Sequence, residues 1–442
     1  MGNVFKFDAG EERYEIRIIM SFQTGHSNRI WNPDWIPAFA GMTKDNYENC
    51  HRYSNNFRAK NGIRVLYFSS RKIPRNHRKK EIYMKIAIDT QTILGQKTGF
   101  GFYVKNLIDN LSKIDPNNEY ILLAPPTEKD FSTPQRFIWD QFKVPWQARE
   151  NKADILHQPC FSAPIFYSGK IVITVHDLIS MHFPKNLPLA SRMFYSKWMP
   201  FSYRSADKII AISEDTKKDI MVRLHIPEEK IKVIHSAVAP VFKVIEDEIY
   251  LKKIKDKYKT GDKFILDVGT LEPRKNLPFL VRAYHLALEK SQISHNLVLS
   301  GKKGWYYDDL FRLIKNLNLE NKVIFTGYVA EEDLPGLYNA ADLFVFPSLY
   351  EGFGFPPLEA MACGTPVISS NTSSLPEVVG SAGVLLPPEN EQIWADKITE
   401  VILSPTLRRK MKENGLNQAK KFSWEETARK TIAVYQEVFK TK

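Results

Sequence analysis

The stretch DLFVFPSLYEGFGFPPLEAMACGTPVIS, residues 342–369, decides the fold. Its run 343–346 is short, apolar and preceded by an aspartate, a pattern typical of a strand buried in a parallel sheet. A loop with two glycines follows, and Pro356-Pro357 can begin a helix because proline is tolerated in the first turn. Residues 364–366, Gly-Thr-Pro, end that helix before a second strand, 367–369. The stretch therefore predicts the order strand, glycine loop, helix, strand.

Two carboxylates, Glu351 and Glu359, flank the end of this loop. A loop that leads from a parallel strand into a helix amino terminus presents backbone amides and the positive end of the helix dipole, which suits phosphate. Carboxylates repel phosphate, so these two are better suited to accepting hydrogen bonds from hydroxyl groups, and sugars are the obvious candidates. The alternative is a solvated loop in which Glu359, placed in the first turn, only favours the helix start.

The stretch resembles the signature of the retaining glycosyltransferases of family 4, in which seven residues separate two glutamates. The core GFG-P-LEAMA-G-PV of that signature is nearly intact here. The resemblance implies an α/β fold of the GT-B type, with two Rossmann-like parallel-sheet domains facing each other across a cleft. It also implies that Glu359 binds the ribose hydroxyls of a nucleotide-sugar donor. Glu351 and the amides around Phe353, Gly354 and Phe355 are implied to bind the transferred sugar.

Length and composition indicate a globular protein of ordinary type. The chain has 442 residues, 43% hydrophobic and 25% charged, enough for two or three domains. No apolar run approaches the roughly 18 residues of a membrane span. The three cysteines, Cys50, Cys160 and Cys363, match no metal or redox spacing, so we expect a reducing cytoplasm.

The net charge of +12 is unevenly distributed. Residues 1–83 hold 15 Lys/Arg against 8 Asp/Glu, a net charge of +7, which leaves +5 for the rest of the chain. The basic pI therefore says little about the body of the protein. Because no base-reading module is visible either, we expect no nucleic-acid partner.

Residues 1–83 show no sustained periodicity and end in the basic run RKIPRNHRKK. Within them, NPDWIPAFAGMTK resembles peptides translated from dispersed bacterial repeat DNA. We therefore expect the natural start to be Met84. The alternatives are a poorly ordered extension or a basic tail at a membrane surface. A signal peptide is not favoured, because no clear hydrophobic core of that type is recognisable.

After Met84, predicted strands alternate with helices or loops, which predicts parallel sheets covered on both faces. We assign residues 84–240 to an N-terminal, acceptor-side domain, and the charged segment 241–262 to a linker. Residues 263–420 form the predicted nucleotide-sugar-binding domain, and 421–442 a helix that crosses back to the first domain, as the resemblance implies. The predicted strands lie at 84–90, 120–124, 154–158, 171–177, 208–213, 232–236, 263–269, 296–301 and 322–329.

Three residues of the first domain are candidates for the site. Gly99 and Gly101 belong to the loop LGQKTGFG, which resembles the family's loop over the donor phosphates and acceptor; taken alone, they indicate a turn. His176 follows a predicted strand, where a lone histidine is more often structural. The resemblance instead places His176 close to the reactive carbon of the donor sugar.

Two serine motifs indicate helix starts. Ser213 resembles the family's Ser-Glu element, but we favour its interpretation as a helix N-cap. Ser374 and Glu377 have the spacing of a capping box, which accounts for both residues structurally.

The second domain contributes a cationic pair and a candidate nucleobase site. Arg274 and Lys275, in GTLEPRKNL, resemble the family's basic pair, which binds the donor diphosphate; in isolation they would be an exposed surface feature. The resemblance also assigns recognition of the nucleobase to the turn at Tyr328 and Val329.

The segment SRMFYSKWMPFSYRSADK, residues 191–208, interleaves aromatic and basic residues. It could be an interfacial membrane helix or a surface for a lipid acceptor. We favour the alternative, in which the aromatic residues belong to the core and the charges to the solvated face.

Together these features predict a retaining hexosyltransferase that moves a sugar from a nucleoside diphosphate to an acceptor hydroxyl. The resemblance implies that Arg274 and Lys275 stabilise the leaving diphosphate, while Glu351 holds the sugar and His176 orients it. We expect neither a metal nor another cofactor. Because LPEVVGSAGVLLPP is most similar to mannosyltransferases of the family, GDP-mannose is the first donor candidate. The expected acceptor is a growing polysaccharide or a lipid-linked glycan.

Two other functions remain open, a GT-B phosphorylase and a catalytically silent scaffold that binds a nucleotide sugar. We expect a cytoplasmic protein, with peripheral contact to the inner face of the cytoplasmic membrane as an open alternative. The sequence does not indicate the oligomeric state.

Overall fold

The computed structural model describes residues 2–9, 12–19, 67–68, 83–93, 99–127, 130–184, 189–291, 293–302, 304 and 308–441. Most of the predicted extension 1–83 therefore lies outside the described residues, and the expected start at Met84 stays a prediction. Two described stretches of the extension, Gly2–Ala9 and Glu12–Ile19, pair as an antiparallel hairpin.

The strands of the described residues are β1 (Gly2–Ala9), β2 (Glu12–Ile19), β3 (Tyr67–Phe68), β4 (Lys85–Asp89), β5 (Glu119–Leu123), β6 (Ile155–Gln158), β7 (Lys170–Val175), β8 (Lys208–Ala211), β9 (Ile231–Val233), β10 (Phe264–Val268), β11 (Asn296–Ser300), β12 (Val323–Gly327), β13 (Leu343–Phe346), β14 (Val367–Ser370) and β15 (Val384–Leu386). Every strand predicted from the sequence is present, with ends shifted by up to three residues.

Apart from β1 and β2, which pair only with each other, these strands lie in two larger sheets. One has seven strands in the order β3-β5-β4-β6-β7-β8-β9, and β5, β4, β6 and β7 run parallel to one another. The other has six strands, β12-β11-β10-β13-β14-β15, and all its neighbours are parallel. The carboxyl ends of these six strands therefore meet at one edge, where open α/β sheets bind ligands.

The α-helices are α1 (Gly99–Ile114), α2 (Thr133–Ile138), α3 (Val144–Glu150), α4 (Ile179–His182), α5 (Leu189–Met193), α6 (Met199–Ser202), α7 (Glu214–Leu224), α8 (Glu248–Tyr258), α9 (Leu277–Lys290), α10 (Asp308–Asn316), α11 (Leu334–Ala340), α12 (Phe355–Ala362), α13 (Leu375–Val379), α14 (Glu391–Leu403), α15 (Pro405–Ala419) and α16 (Trp424–Lys440). Two π-helical turns, Trp139–Lys143 and Phe194–Trp198, continue α2 into α3 and α5 into α6.

The described chain divides into two compact units. The first comprises Met1–Thr174, Pro188–Ile210 and Ala428–Lys442, and the second comprises Val175–Leu187 and Ala211–Thr427. The domain boundaries proposed from the sequence stay a prediction.

Two helices begin earlier than the sequence predicted. Helix α1 begins at Gly99, so Gly99 and Gly101 lie in its first turn, and the loop before them, 94–98, lies outside the described residues. Helix α12 begins at Phe355, before the two prolines, so the prediction that Glu359 lies in the first turn is wrong. Glu359 is the fifth residue of that helix.

The charged segment 241–262 contains a packed helix, α8, in addition to connecting chain. The side chain of Asp247 accepts a hydrogen bond from the amide of Tyr250 at 2.9 Å and caps the helix, and Ile254 is buried. Gly336 of α11 lies against Tyr250 and Ile254, where a side chain would clash. The many lysines of α8 cover its exposed face, which is why the composition resembled that of a linker.

Trp394 of α14 lies in the hydrophobic core of the second unit. Its ring meets Phe279 edge-on at 5.7 Å, and its Nε1 donates to the carbonyl of Pro387 at 2.9 Å. The side chain is 0% exposed.

Replacing Trp394 with Ala should remove this packing and lower the free energy of unfolding by about 3–5 kcal/mol. Thermal melting followed by circular dichroism measures the loss as a lower melting temperature. Trp146, which is 57% exposed, provides a matched control, because Trp146→Ala should leave the melting temperature nearly unchanged. Equal effects of the two substitutions would contradict the assignment of Trp394 to the core.

Candidate functional site

Three segments of the second unit follow strands that end at the same edge of its sheet. The 3-10 turn Pro273–Lys275 follows β10, Tyr328 follows β12, and the glutamate loop follows β13. Because β10 is parallel to β11 and β13, and β11 to β12, all three segments leave the sheet in the same direction.

Glu351 lies at the centre of a buried ion cluster. Its Oε1 lies 2.6 Å from Nη1 of Arg274 and 2.7 Å from Nζ of Lys275, and it accepts a hydrogen bond from Ser348 Oγ at 2.6 Å. Oε2 takes part in none of these three contacts. Glu272 adds a second carboxylate, 2.5 Å from Nη2 of Arg274. The structure therefore brings together three of the residues predicted to be catalytic, and adds Ser348 and Glu272, which sequence reasoning missed.

Electrostatics keep this cluster ionised. Burial alone would raise the pKa of Glu351, but Arg274 and then Lys275 lower it to about 2. Burial would likewise lower the pKa of Arg274, and the carboxylates of Glu351 and Glu272 more than reverse that effect. Two positive and two negative charges nearly balance. A diphosphate that binds Arg274 and Lys275 must therefore compete with Glu351 for them.

Lys275 occupies a fitted position beneath the loop. Its Nζ lies 4.5 Å from the centroid of the Phe346 ring, a cation–π contact. A Cβ at Gly269 would lie 3.0 Å from Cε of Lys275, a tight contact that a larger residue could relieve only if the lysine side chain moved. Asp267 lies on the preceding strand; burial raises its pKa to about 7, against the influence of Lys275, and its Oδ2 has no hydrogen-bond partner.

The loop at Gly352 is held against His176. A Cβ at Gly352 would lie 2.1 Å from the carbonyl oxygen of His176, so the close approach requires glycine. Ser213 Oγ donates to the carbonyl of Gly352 at 2.7 Å and also accepts from the amide of Thr216, which confirms its predicted role as the N-cap of α7. His176 thus joins the loop through its backbone. The predicted role of its side chain, which is 7% exposed, stays a prediction.

Tyr350, the residue before Glu351, is held by hydrogen bonds at its backbone carbonyl and at its side-chain hydroxyl. Its carbonyl accepts from Nη1 of Arg274 at 2.6 Å, and its hydroxyl donates to Asp219 of α7 at 2.6 Å. The ring of His182, which also contacts Asp219, lies 4.2 Å from the Tyr350 ring. No spacing in the sequence signals this contact.

The predicted capping box at Ser374 and Glu377 is wrong. Ser374 Oγ donates to the carbonyls of Glu351, at 2.9 Å, and Phe353, at 2.7 Å, and makes no cap bond to α13. Glu377 instead accepts from the amide of Glu214 at 2.9 Å and contacts Nε2 of His235. Both side chains are used to fix loops that are distant in sequence.

The amino terminus of α12 offers few donors to an anion. Pro356 and Pro357 occupy its second and third positions, and proline has no N–H, so Gly354 and Phe355 are left to supply amides. Gly354 has a φ of 115°, which favours glycine. The Phe353 ring is buried and meets Phe355 at 5.2 Å. A phosphate bound here depends more on Arg274 and Lys275 than on the helix.

Within the described part of the chain, the Glu359 side chain makes one hydrogen bond, and it makes none to the ion cluster. Tyr338 donates its hydroxyl to Oε2 of Glu359 at 2.8 Å. Burial raises the pKa of Glu359 to about 7, and the bond from Tyr338 only partly offsets this increase. Further hydrogen-bond donors would therefore lower the pKa of Glu359 and favour its ionised form. Sequence reasoning missed Tyr338, whose position on α11 carried no signal.

The structure does not bring all the candidates together. Tyr328 is 53% exposed, and Nζ of Lys302 lies 4.9 Å from the centroid of its ring, whereas Val329 beside it is buried. Within the described part of the chain, neither side chain hydrogen-bonds to the ion cluster. Gly99 and Gly101 belong to the first unit. Their roles, and that of the turn at Tyr328, stay predictions.

The first unit has a buried polar cluster of its own at the carboxyl end of β4. Gln91 Nε2 donates to Asp89 at 2.5 Å and to Asp140 at 2.8 Å, and Trp139 Nε1 donates to Asp89 at 3.0 Å. Burial raises the pKa of Asp89 to about 6 and that of Asp140 to about 7. Sequence reasoning missed this pair. In the described part of the chain no three His, Cys, Asp or Glu side chains form a group that could hold a metal ion.

Comparisons with known proteins identify the family. Residues 251–418 match the family model "Glycosyl transferases group 1", and residues 109–241 match "Glycosyltransferase Family 4". The O-antigen chain mannosyltransferase B of Escherichia coli is 35% identical over 292 residues, 66% of this chain and 76% of that protein. The serotype-specific mannosyltransferase WbdA of Escherichia coli is 36% identical over 271 residues, 60% of this chain but only 33% of WbdA.

Solved structures share the fold. Anabaena Alr3699/HepE, in complex with UDP and glucose, aligns with a TM-score of 0.60 at 20% identity and covers 80% of this chain and 100% of its own. The two α/β units are those of the GT-B fold, as the resemblance implied. The chain therefore belongs to the group 1 glycosyl transferases of family 4, and it is a glycosyltransferase.

Proposed function

We propose that this glycosyltransferase transfers mannose from GDP-mannose to a hydroxyl of a growing polysaccharide or lipid-linked glycan, with retention of the anomeric configuration. The observation that carries the proposal is the buried cluster of Glu351, Arg274 and Lys275 at the carboxyl edge of the sheet. Two fixed cations are suited to charge that develops on a leaving diphosphate. The names of the two mannosyltransferase relatives support mannose and the polysaccharide acceptor.

In the proposed reaction, the bond between the anomeric carbon and the diphosphate oxygen breaks as the acceptor oxygen bonds to the same face of that carbon. The acceptor proton passes to the departing phosphate, which leaves as a nucleoside diphosphate. Arg274 and Lys275 stabilise the negative charge of that group. No divalent metal or other cofactor takes part in this proposal.

Glu351 suits a binding role better than a nucleophilic one. Oε1 is committed to two cations and a hydroxyl, which weakens the carboxylate as a nucleophile. A double displacement requires a carboxylate at close range to the anomeric carbon. We assign Oε2 to a hydroxyl of the transferred sugar, Glu359 to the ribose, and orientation of the sugar to His176.

Incubation of the full chain with GDP-, UDP- and ADP-linked mannose, glucose and N-acetylglucosamine tests the proposal. Of these compounds, we expect only GDP-mannose to raise the melting temperature. We also expect slow release of mannose from it in the absence of acceptor. With a glycan acceptor, the anomeric configuration of the product, read by NMR, should match that of the donor. An inverted product would overturn retention. Binding without any turnover would favour the silent scaffold, and release of a sugar phosphate with inorganic phosphate would favour a phosphorylase.

The competition between Glu351 and a diphosphate gives a prediction with an unusual sign. Glu351→Gln should bind the nucleoside diphosphate about three- to tenfold more tightly, because the substitution removes the carboxylate charge that pairs with Lys275 and partly neutralises Arg274. It should also lower kcat by about 100-fold or more, because the carboxylate that accepts a hydrogen bond from the transferred sugar is lost. Isothermal titration and initial rates measure the two effects.

Glu272→Gln is the matched control, since the carboxylate of Glu272 pairs with Arg274 and, among the described contacts, not with the ammonium group of Lys275. It should strengthen diphosphate binding less and largely preserve kcat. Weaker diphosphate binding by Glu351→Gln, with an unchanged melting temperature, would show that Glu351 holds the cations in place instead of competing for them.

The raised pKa of Glu359 predicts a pH-dependent donor affinity. Ribose hydroxyls donate to the ionised carboxylate, so binding favours deprotonation. The Kd should fall about tenfold per pH unit up to about 7 and level off above it. GDP-mannose is the suitable ligand, because its diphosphate diester does not titrate near neutral pH.

Glu359→Gln should bind GDP-mannose more weakly and show no such dependence. The variant also serves as the internal control, because Asp267 has a similar pKa of about 7 and lies beside Lys275. If the pH dependence persists in Glu359→Gln, the ribose assignment fails and Asp267 becomes the titrating group.

A further inference from the structure

Two helical stretches of the first unit expose large apolar side chains to solvent. One runs through α2, the π-turn Trp139–Lys143 and α3; the other runs through α5, the π-turn Phe194–Trp198 and α6. Neither contributes a residue to the ion cluster. The site described above therefore does not account for their exposed faces.

The first stretch has a stripe of exposed residues along one side. Ile138 is 50% exposed, Phe142 56% and Trp146 57%, and Arg149 follows. Steps of four, four and three residues keep these side chains on one side of a helix. The opposite side is buried, as Val144 shows.

The second stretch repeats the same spacing. Met193 is 59% exposed and Phe201 54%, and Lys197 and Arg204, also exposed, lie at the intervening and following positions. The sequence favoured a core position for the aromatic residues of this segment. That expectation holds for Phe194, which is buried, but it is wrong for Phe201.

Ring contacts join the two stripes into one surface. Phe137 lies 6.3 Å from Phe142 in its own stretch and 5.1 Å from Trp198 in the other, and Trp198 lies 6.3 Å from Phe201. We call the exposed residues Ile138, Phe142, Trp146, Met193 and Phe201 the aromatic face. Phe166, 78% exposed, extends it, because its carbonyl accepts from Arg149 at 3.0 Å.

Basic residues surround the aromatic face. Residues 189–206 contain three basic and no acidic residues. Residues 133–152 contain four basic residues and two acidic ones, and Asp140 is fully buried, so only Glu150 brings negative charge to the surface. Exposed Lys143 directly follows Phe142 of the first stripe, and exposed Lys197 occupies the position between Met193 and Phe201 in the second. Exposed apolar patches of this kind mark interaction sites.

We propose that the aromatic face docks the protein on an anionic membrane surface. Aromatic and aliphatic side chains with interleaved Lys and Arg match the boundary between acyl chains and anionic headgroups. A second copy of the chain would oppose like charges across the contact, so the charge disfavours self-association as the reason for the exposed face. The proposal is independent of the donor and of the reaction, and it locates on defined residues the membrane contact that the sequence left open.

Flotation with lipid vesicles tests the proposal on the full chain. We expect binding to vesicles in which about a third of the lipid is phosphatidylglycerol, weak binding to phosphatidylcholine alone, and release by high salt. The double variant Phe142→Ser/Trp146→Ser should lower partitioning about tenfold or more. Ile249→Ser/Leu403→Ser is the matched control, because those side chains are 72% and 62% exposed in the second unit; it should bind as the unchanged protein does.

Lys143→Glu/Lys197→Glu separates the electrostatic contribution, and it should abolish the preference for phosphatidylglycerol. An unchanged melting temperature shows that each variant is folded. Equal vesicle binding by the unchanged protein and by Phe142→Ser/Trp146→Ser, or no binding to either vesicle, would overturn the proposal. So would a dimer in sedimentation that Phe142→Ser/Trp146→Ser dissociates, because a second copy would then cover the face.

Discussion

The buried cluster of Glu351, Arg274 and Lys275 is the interaction on which the rest of the second unit's site depends. Each charge would be costly to bury alone, so the three must stay together, and removing one leaves the others uncompensated. The cluster therefore fixes the turn after β10 to the loop after β13. Gly269 packs closely against the Lys275 side chain, and Ser348 donates a further hydrogen bond to Glu351.

The surrounding contacts restrict the loop further. Gly352 lies against the backbone of His176, Ser374 donates to two loop carbonyls, and Tyr350 is held at its carbonyl and its hydroxyl. These contacts come from several elements of the unit. They restrain the loop, so under the proposed function binding of a sugar would not have to supply the energy of ordering it.

The two glutamates of the motif differ in their pKa and in their hydrogen-bond partners. Glu351 is permanently ionised and fixed by cations, whereas Glu359 has one hydroxyl partner and a pKa near neutrality. Under the proposed function, a carboxyl of the second kind gains most from new donors such as ribose hydroxyls, and a carboxylate of the first kind balances the charge of the cations that bind the diphosphate. Burial is common to both, and the neighbouring charges decide the difference.

The sequence by itself determined the features that local chemistry controls: the strand Leu343–Phe346, the N-cap at Ser213 and the order of strands and helices, because hydrophobic period and capping act within a few residues. The family signature added the prediction of which residues form the site. Only the tertiary structure decided that Glu351 would neutralise Lys275, 76 residues away, that Ser374 and Glu377 would not form a capping box, and that Met193 and Phe201 would face solvent. Hydrophobic periodicity in the sequence shows that a helix has an apolar and a polar face. Only the packing of the folded chain decides which neighbours, or solvent, each face contacts.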